Sequence, residues 1–215
     1  MQKVDFKKHK YDTDLIIGTF DLEHGTKCEL LDALLNARGE VAERHKEDLE
    51  KHRYLLENEG NYWNEEELKM HFLSHIFFLA DLNEPKKCKL FYERPLKEEV
   101  EGQDIYVKCD CMVASPFGIN TPAAPYFFLQ EFKKAKKPDD PEGQMLLAML
   151  AAQFRNANKK PVYGCWLQGR NWVFTTLHDK NYCVSKIYDA TISEELYQII
   201  YILRRMKQII LTELL

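Results

Sequence analysis

The segment Tyr126-Phe127-Phe128-Leu129-Gln130-Glu131-Phe132-Lys133 closes a strongly apolar run with two opposite charges. Read as a strand, it places Phe127, Leu129, Glu131 and Lys133 on one face and Tyr126, Phe128, Gln130 and Phe132 on the other. Residues two apart lie about 6.6 Å apart along a strand, so Glu131 and Lys133 can converge on one small object, a hydrated metal ion or a phosphate. A charged pair ending such a run costs desolvation unless something at the site offsets it. The acid-x-lysine spacing alone decides nothing, because Asp5-Phe6-Lys7, Glu67-Leu68-Lys69 and Glu84-Pro85-Lys86 share it. Only the copy at 131–133 follows a run with the character of a buried strand.

The preceding apolar run, Ile105 to Val113, supplies a second acid. Alternation puts Ile105, Val107, Cys109, Cys111 and Val113 on its apolar side, and Asp110 on the other with Tyr106, Lys108 and Met112. Two carboxylates on neighbouring strands, Asp110 and Glu131, make the hard-oxygen environment that Mg²⁺ or Mn²⁺ takes. A cation held there activates water and stabilises charge building on a phosphate. Lys133 is then placed to orient that water or to stabilise the anionic transition state.

Other constellations carry less. His71 and His75 are four apart, as in zinc-binding helices, but Phe72 stands where such a motif has its glutamate. Tyr163, Trp166, Trp172 and Phe174 could stack bases, yet aromatics on alternating strands more often fill a core. The six cysteines include no pair of CxxC elements, and Cys109 and Cys111 read as small core hydrophobes. Lys133, Lys134, Lys136 and Lys137, with Lys159 and Lys160, either hold phosphates beside an acidic site or form a solvated loop. With a net charge of −4, polyanion binding must come from such local patches. No run has the length of a membrane span or the form of a signal peptide, so the expected setting is a reducing cytoplasm with the cysteines as thiols.

These residues need elements to position them. Asn64 followed by Glu65-Glu66-Glu67 reads as a helix cap with acids in the first turn, and Leu68, Phe72, Ile76 and Leu79 recur at helical spacing. Glu65 falls on the side of Leu68, at the lip of the buried face, although a solvated acidic helix start explains it equally well. Strands are expected at about 90–95, 105–113 and 126–132, then a buried helix over 142–155 capped by Asp140. Three antiparallel strands follow at about 162–167, 172–177 and 182–187, and an amphipathic helix over 193–212. Residues 1–60 read as a separate helical appendage, with Thr26 as a helix cap and a charge-rich helix over 40–57. That appendage is either a solvated hairpin or a surface for a homodimer or a protein partner.

Together, Asn64-Glu65 to Leu68 and Phe72, Glu93-Arg94-Pro95-Leu96, Asp110, Phe127 to Lys133, and Asp140-Pro141-Glu142-Gly143-Gln144 resemble the PD-(D/E)XK nuclease superfamily. The resemblance covers about residues 61–190. It implies a restriction-endonuclease-like α/β fold over 61–215, with a mixed central sheet flanked by helices. It further implies a Mg²⁺- or Mn²⁺-dependent phosphodiesterase acting on DNA or RNA, or an inactive module of the same fold binding nucleic acid or protein. By resemblance, Asp110 and Glu131 bind the metal, Lys133 assists catalysis, Glu65 is the acid of the first helix, and Gln144 faces the site. The proline that names the motif is absent before Asp110, where Cys109 stands.

Overall fold

The computed structural model describes residues 3–133 and 140–215. Eight strands form one mixed sheet: β1 (Glu23–Gly25), β2 (Lys89–Val100), β3 (Gln103–Phe117), β4 (Thr121–Lys133), β5 (Val162–Gln168), β6 (Asn171–His178), β7 (Asn181–Val184) and β8 (Tyr188–Asp189). The order across the sheet is β1-β7-β6-β5-β4-β3-β2, with β8 also on β6. Among the described residues, β1 with β7 and β4 with β5 are the parallel pairs. Parallel neighbours need a crossover, and the helix α6 (Pro141–Asn156) supplies it between β4 and β5.

Helices cover both faces. On one side α1 (Thr13–Thr19) packs on α6, and Ile16, Phe20, Met145 and Met149 share a core with Val107 and Met112 of β3. On the other lie α2 (Glu29–Leu35), α3 (Glu43–Glu59), a rod made of α4 (Glu65–Leu68), a π-helical turn (Lys69–Leu73) and α5 (Ser74–Ala80), and α7 (Ser193–Ile209). Their apolar stripes meet Phe128, Tyr163 and Phe174 of the sheet. The expected mixed α/β architecture is therefore present. Among the described residues no helix is long and apolar enough to cross a membrane.

The first sixty residues are not an appendage. β1 joins the sheet edge, and Leu31, Leu34, Leu49 and Leu56 are buried in the same core as Phe72 and Leu203. These leucines are part of the core and are not available to a partner. The charge-rich stretch concealed this because α3 spends only Leu49 and Leu56 on full burial. The cap of α2 is Cys28, not Thr26, and it makes no side-chain capping bond. The rod is as expected: Asn64 forms a capping box with Glu67, and Leu68, Phe72, Ile76 and Leu79 are buried. Asp140 caps α6 by accepting from Gly143 N–H.

Strict alternation fails at two places beside the candidate site. Along β3, Ile105, Val107 and Cys109 face the α6 side, but so do Met112 and Ala114, while Cys111 and Val113 face the opposite core. The switch falls at Asp110. Across from it, between the pairs Tyr92↔Cys111 and Arg94↔Cys109, Glu93 of β2 adopts φ 54, a left-handed conformation that interrupts the pleat. In β4, Val113 pairs with Phe128 and Ala114 with Tyr126, leaving Phe127 as the extra residue of a bulge. Phe127 and Phe128 consequently pack into one core instead of opposite faces.

Candidate functional site

The rod begins beside Glu93 of β2, Asp110 of β3 and the C-terminal end of β4, where the pleat of β3 switches. Asp110 is turned towards it and is 8% exposed. Its Oδ2 accepts a hydrogen bond from the Phe132 N–H at 2.8 Å, a bond across to β4. The same oxygen lies 4.0 Å from Lys133 Nζ, and Oδ1 lies 3.8 Å from Lys69 Nζ. Glu131 is 2% exposed and accepts from the Lys133 ammonium, itself 5% exposed. Asp110, Glu131 and Lys133 therefore converge, with both carboxylates against one ammonium.

Burial sets their proton affinities. Desolvation, then the nearby Asp110 charge, pushes Glu131 up to about 8 despite Lys133. Burial likewise raises Asp110, against the Phe132 N–H and the two lysines that favour its charged form. For Lys133, burial opposes the charge, but Glu131, Asp110 and Glu65 outweigh it and hold the ammonium above its usual range. Glu65 acts electrostatically on all three groups, lies 3.5 Å from Lys69 Nζ and lines the cleft beside Asp110. Gln144 is half-buried near the start of α6, and no hydrogen bond ties its side chain to these acids among the described residues.

Two further residues belong to the group. Glu93 bonds Lys69 at 3.0 Å through Oε1 and pairs with Lys108 through Oε2. Burial opposes its ionisation, but those two ammonium groups hold its carboxyl below the usual range. Lys69 sits among Glu65, Glu66, Glu93 and Asp110. The sequence carried a signal for Lys69 in the Glu67-Leu68-Lys69 spacing, but the relevant neighbours are Glu65 and Glu66, one helical turn back. Beside Asp110 opens a cleft of about 510 Å³, with Lys69 and Glu93 on a charged wall and Leu73, Phe77 and Phe132 on an apolar one.

In charge and donor type the group suits a divalent cation. Glu65, Glu66, Glu93, Asp110 and Glu131 stand against Lys69, Lys108 and Lys133, an excess of two negative charges once every acid is ionised. Carboxylate oxygens are the hard donors that Mg²⁺ and Mn²⁺ take. No three His, Cys, Asp or Glu side chains among the described residues are already arranged as a ligand set. Lys69 and Lys133 stand between the acids instead.

The remaining candidates separate from the site. His75 stacks on His52 of α3, with ring centroids 3.4 Å apart, while His71 lies against Trp63. The two histidines do not share a ligand position. Tyr163, Trp172 and Phe174 are buried core residues, and Trp166 is half-buried. All six cysteines are free thiols. Lys160 points to the C-terminal end, 3.4 Å from the Leu215 carbonyl oxygen, and Lys134, Lys136 and Lys137 lie outside the described residues. No protein-family model matches the chain, and no curated protein matches it.

Proposed function

We propose that the chain is a Mg²⁺- or Mn²⁺-dependent phosphodiesterase of the PD-(D/E)XK type acting on nucleic acid. The observation that carries this is the convergence of Asp110 and Glu131, from adjacent strands, on the single Lys133 ammonium. A meander of three long strands followed by a helix and a parallel fifth strand also supports a restriction-endonuclease-like core. The cleft gives a substrate access to Asp110 together with Glu65, Glu66 and Glu93, while Glu131 and Lys133 lie buried behind its lining.

A bound divalent ion would supply Lewis acidity and a nucleophilic water at neutral pH. Asp110 and Glu131 would hold it, with Glu65 reinforcing the field. The Phe132 N–H fixes Asp110 in position, so its Oδ1 is the oxygen left to turn towards the cleft. Lys133, kept charged between the two acids, would hold an attacking water or donate to a phosphate oxygen as negative charge accumulates there. The apolar wall of the cleft excludes water from one side of that centre.

A second reading has its own observation: Lys69 and Lys133 occupy the space between the acids, and no three acids among the described residues form a ready ligand set, which favours a module that binds nucleic acid or protein without cleaving. Calorimetric titration of Mn²⁺ and a plasmid-nicking and RNA-cleavage screen separate the two. The catalytic reading expects Mn²⁺ binding that Asp110→Ala abolishes, and cleavage that Lys133→Met loses without losing its circular dichroism spectrum. Equal Mn²⁺ affinity in wild type and Asp110→Ala, or unaltered cleavage by Lys133→Met, overturns it.

A further inference from the structure

Lys69 has no place in the triad just described, yet it has four carboxylate partners among the described residues. Its side chain is only 18% exposed. The ammonium lies 3.0 Å from Glu93, 3.2 Å from Glu66, 3.5 Å from Glu65 and 3.8 Å from Asp110. These carboxylates come from two different layers, the helical rod and the strands β2 and β3. The Asn64 capping box fixes where the rod begins, and Lys69 opens the π-helical turn directly after it. π-helical turns concentrate at functional positions. The left-handed Glu93 brings the sheet's contribution to the same ammonium.

A lysine in this position has two opposed effects on a neighbouring carboxylate. It favours ionisation of Asp110, and it repels any other cation that approaches Asp110. The effects differ in size because Coulomb energy scales with charge: a divalent ion feels twice the repulsion that a proton feels at the same point. Removing the ammonium therefore helps a divalent ion more than it helps a proton at the same carboxylate.

We infer that Lys69 is an internal counter-ion that competes with the divalent cation for Asp110 and is displaced towards the cleft when the cation binds. This rests on the metal-dependent reading and adds a residue that sets its affinity. Holding four acids around one ammonium lets the acids be packed together before metal arrives. It also makes the site discriminate against weakly bound cations, which must displace a held lysine. A lysine displaced into the cleft stands where a phosphate of the substrate would meet it, so loading the site and presenting a positive charge to substrate become one event.

The test uses the full chain at pH 8.5 and Mn²⁺ alone. Calorimetry should show Lys69→Gln binding Mn²⁺ at least ten times more tightly than wild type, with Lys69→Arg close to wild type. Equal or weaker binding by Lys69→Gln overturns the assignment while leaving the metal reading intact. Absence of binding in wild type and variants alike overturns both. Should Lys69→Gln fail to fold, amine acetylation of the wild-type protein, followed by mass spectrometry, answers the same question. Saturating Mn²⁺ should accelerate labelling of Lys69 several-fold relative to the exposed Lys7. Unchanged or slower labelling of Lys69 overturns the displacement.

Discussion

Loading the site with Mn²⁺ at pH 7 should expel close to one proton. Glu131 is buried beside Asp110, which pushes its carboxyl up to about 8. At pH 7 such a group is about nine-tenths protonated, at pH 8 about half, and at pH 9 about one-tenth. A carboxylate must be ionised to ligate a metal, so binding should release about 0.9, 0.5 and 0.1 proton at those pH values from this group. Apparent affinity should climb about tenfold per pH unit below 8 and then flatten. Calorimetric titration in two buffers of different ionisation enthalpy reads the proton directly. Heats at pH 7 that do not depend on buffer would refute the reasoning. The same linkage fixes the sign for the metal-free protein. The folded pKa of Glu131 lies above its ordinary 4.5, so its contribution to stability is full below about 4.5 and is lost as pH rises through about 8. The melting temperature should therefore fall across that window, and Mn²⁺ should reverse the fall.

Other outcomes follow from packing. Deleting residues 1–60 should abolish a cooperative thermal transition, since it removes β1 from β7 and strips Leu31, Leu34, Leu49 and Leu56 from the core; a sharp melt of residues 61–215 would contradict this. Gly143→Ala should lower stability by about 1–3 kcal/mol in denaturant titration, because a Cβ there would stand 1.7 Å from the Tyr11 carbonyl oxygen and push the N-terminal turn off α6. Phe72→Ala should cost about 3–5 kcal/mol by the same assay, Phe72 being fully buried beneath the rod that carries Glu65 and Lys69. Asn64→Ala should cost about 1 kcal/mol, as expected for the loss of one cap, and a cost near zero would mean the capping box does not hold the rod's start.

Much of this molecule was legible in its residue order because the signals were local. Helical spacing from Leu68 to Leu79, the Asn64 and Asp140 caps and the apolar runs of β3 to β6 each depend on residues a few positions apart. The suspicion about Glu131 and Lys133 was equally local, a charge pair ending a run too apolar to leave it unexplained, and Asp110 stood in the apolar run before it. What escaped was whatever depends on a distant partner. The three-residue β1 has no pattern of its own and exists because β7 offers it an edge. Lys69 looked like one surface lysine among many until Glu93 and Asp110 arrived from the sheet. Alternation misplaced Cys111 and Phe127 because a left-handed Glu93 and a bulge reset the pleat. Sequence alone thus determined which segments fold and which acids are costly to bury, since propensity and desolvation belong to the residues themselves. Only the tertiary structure decided which charges face each other, because electrostatic energy depends on separation in space and not on separation along the chain.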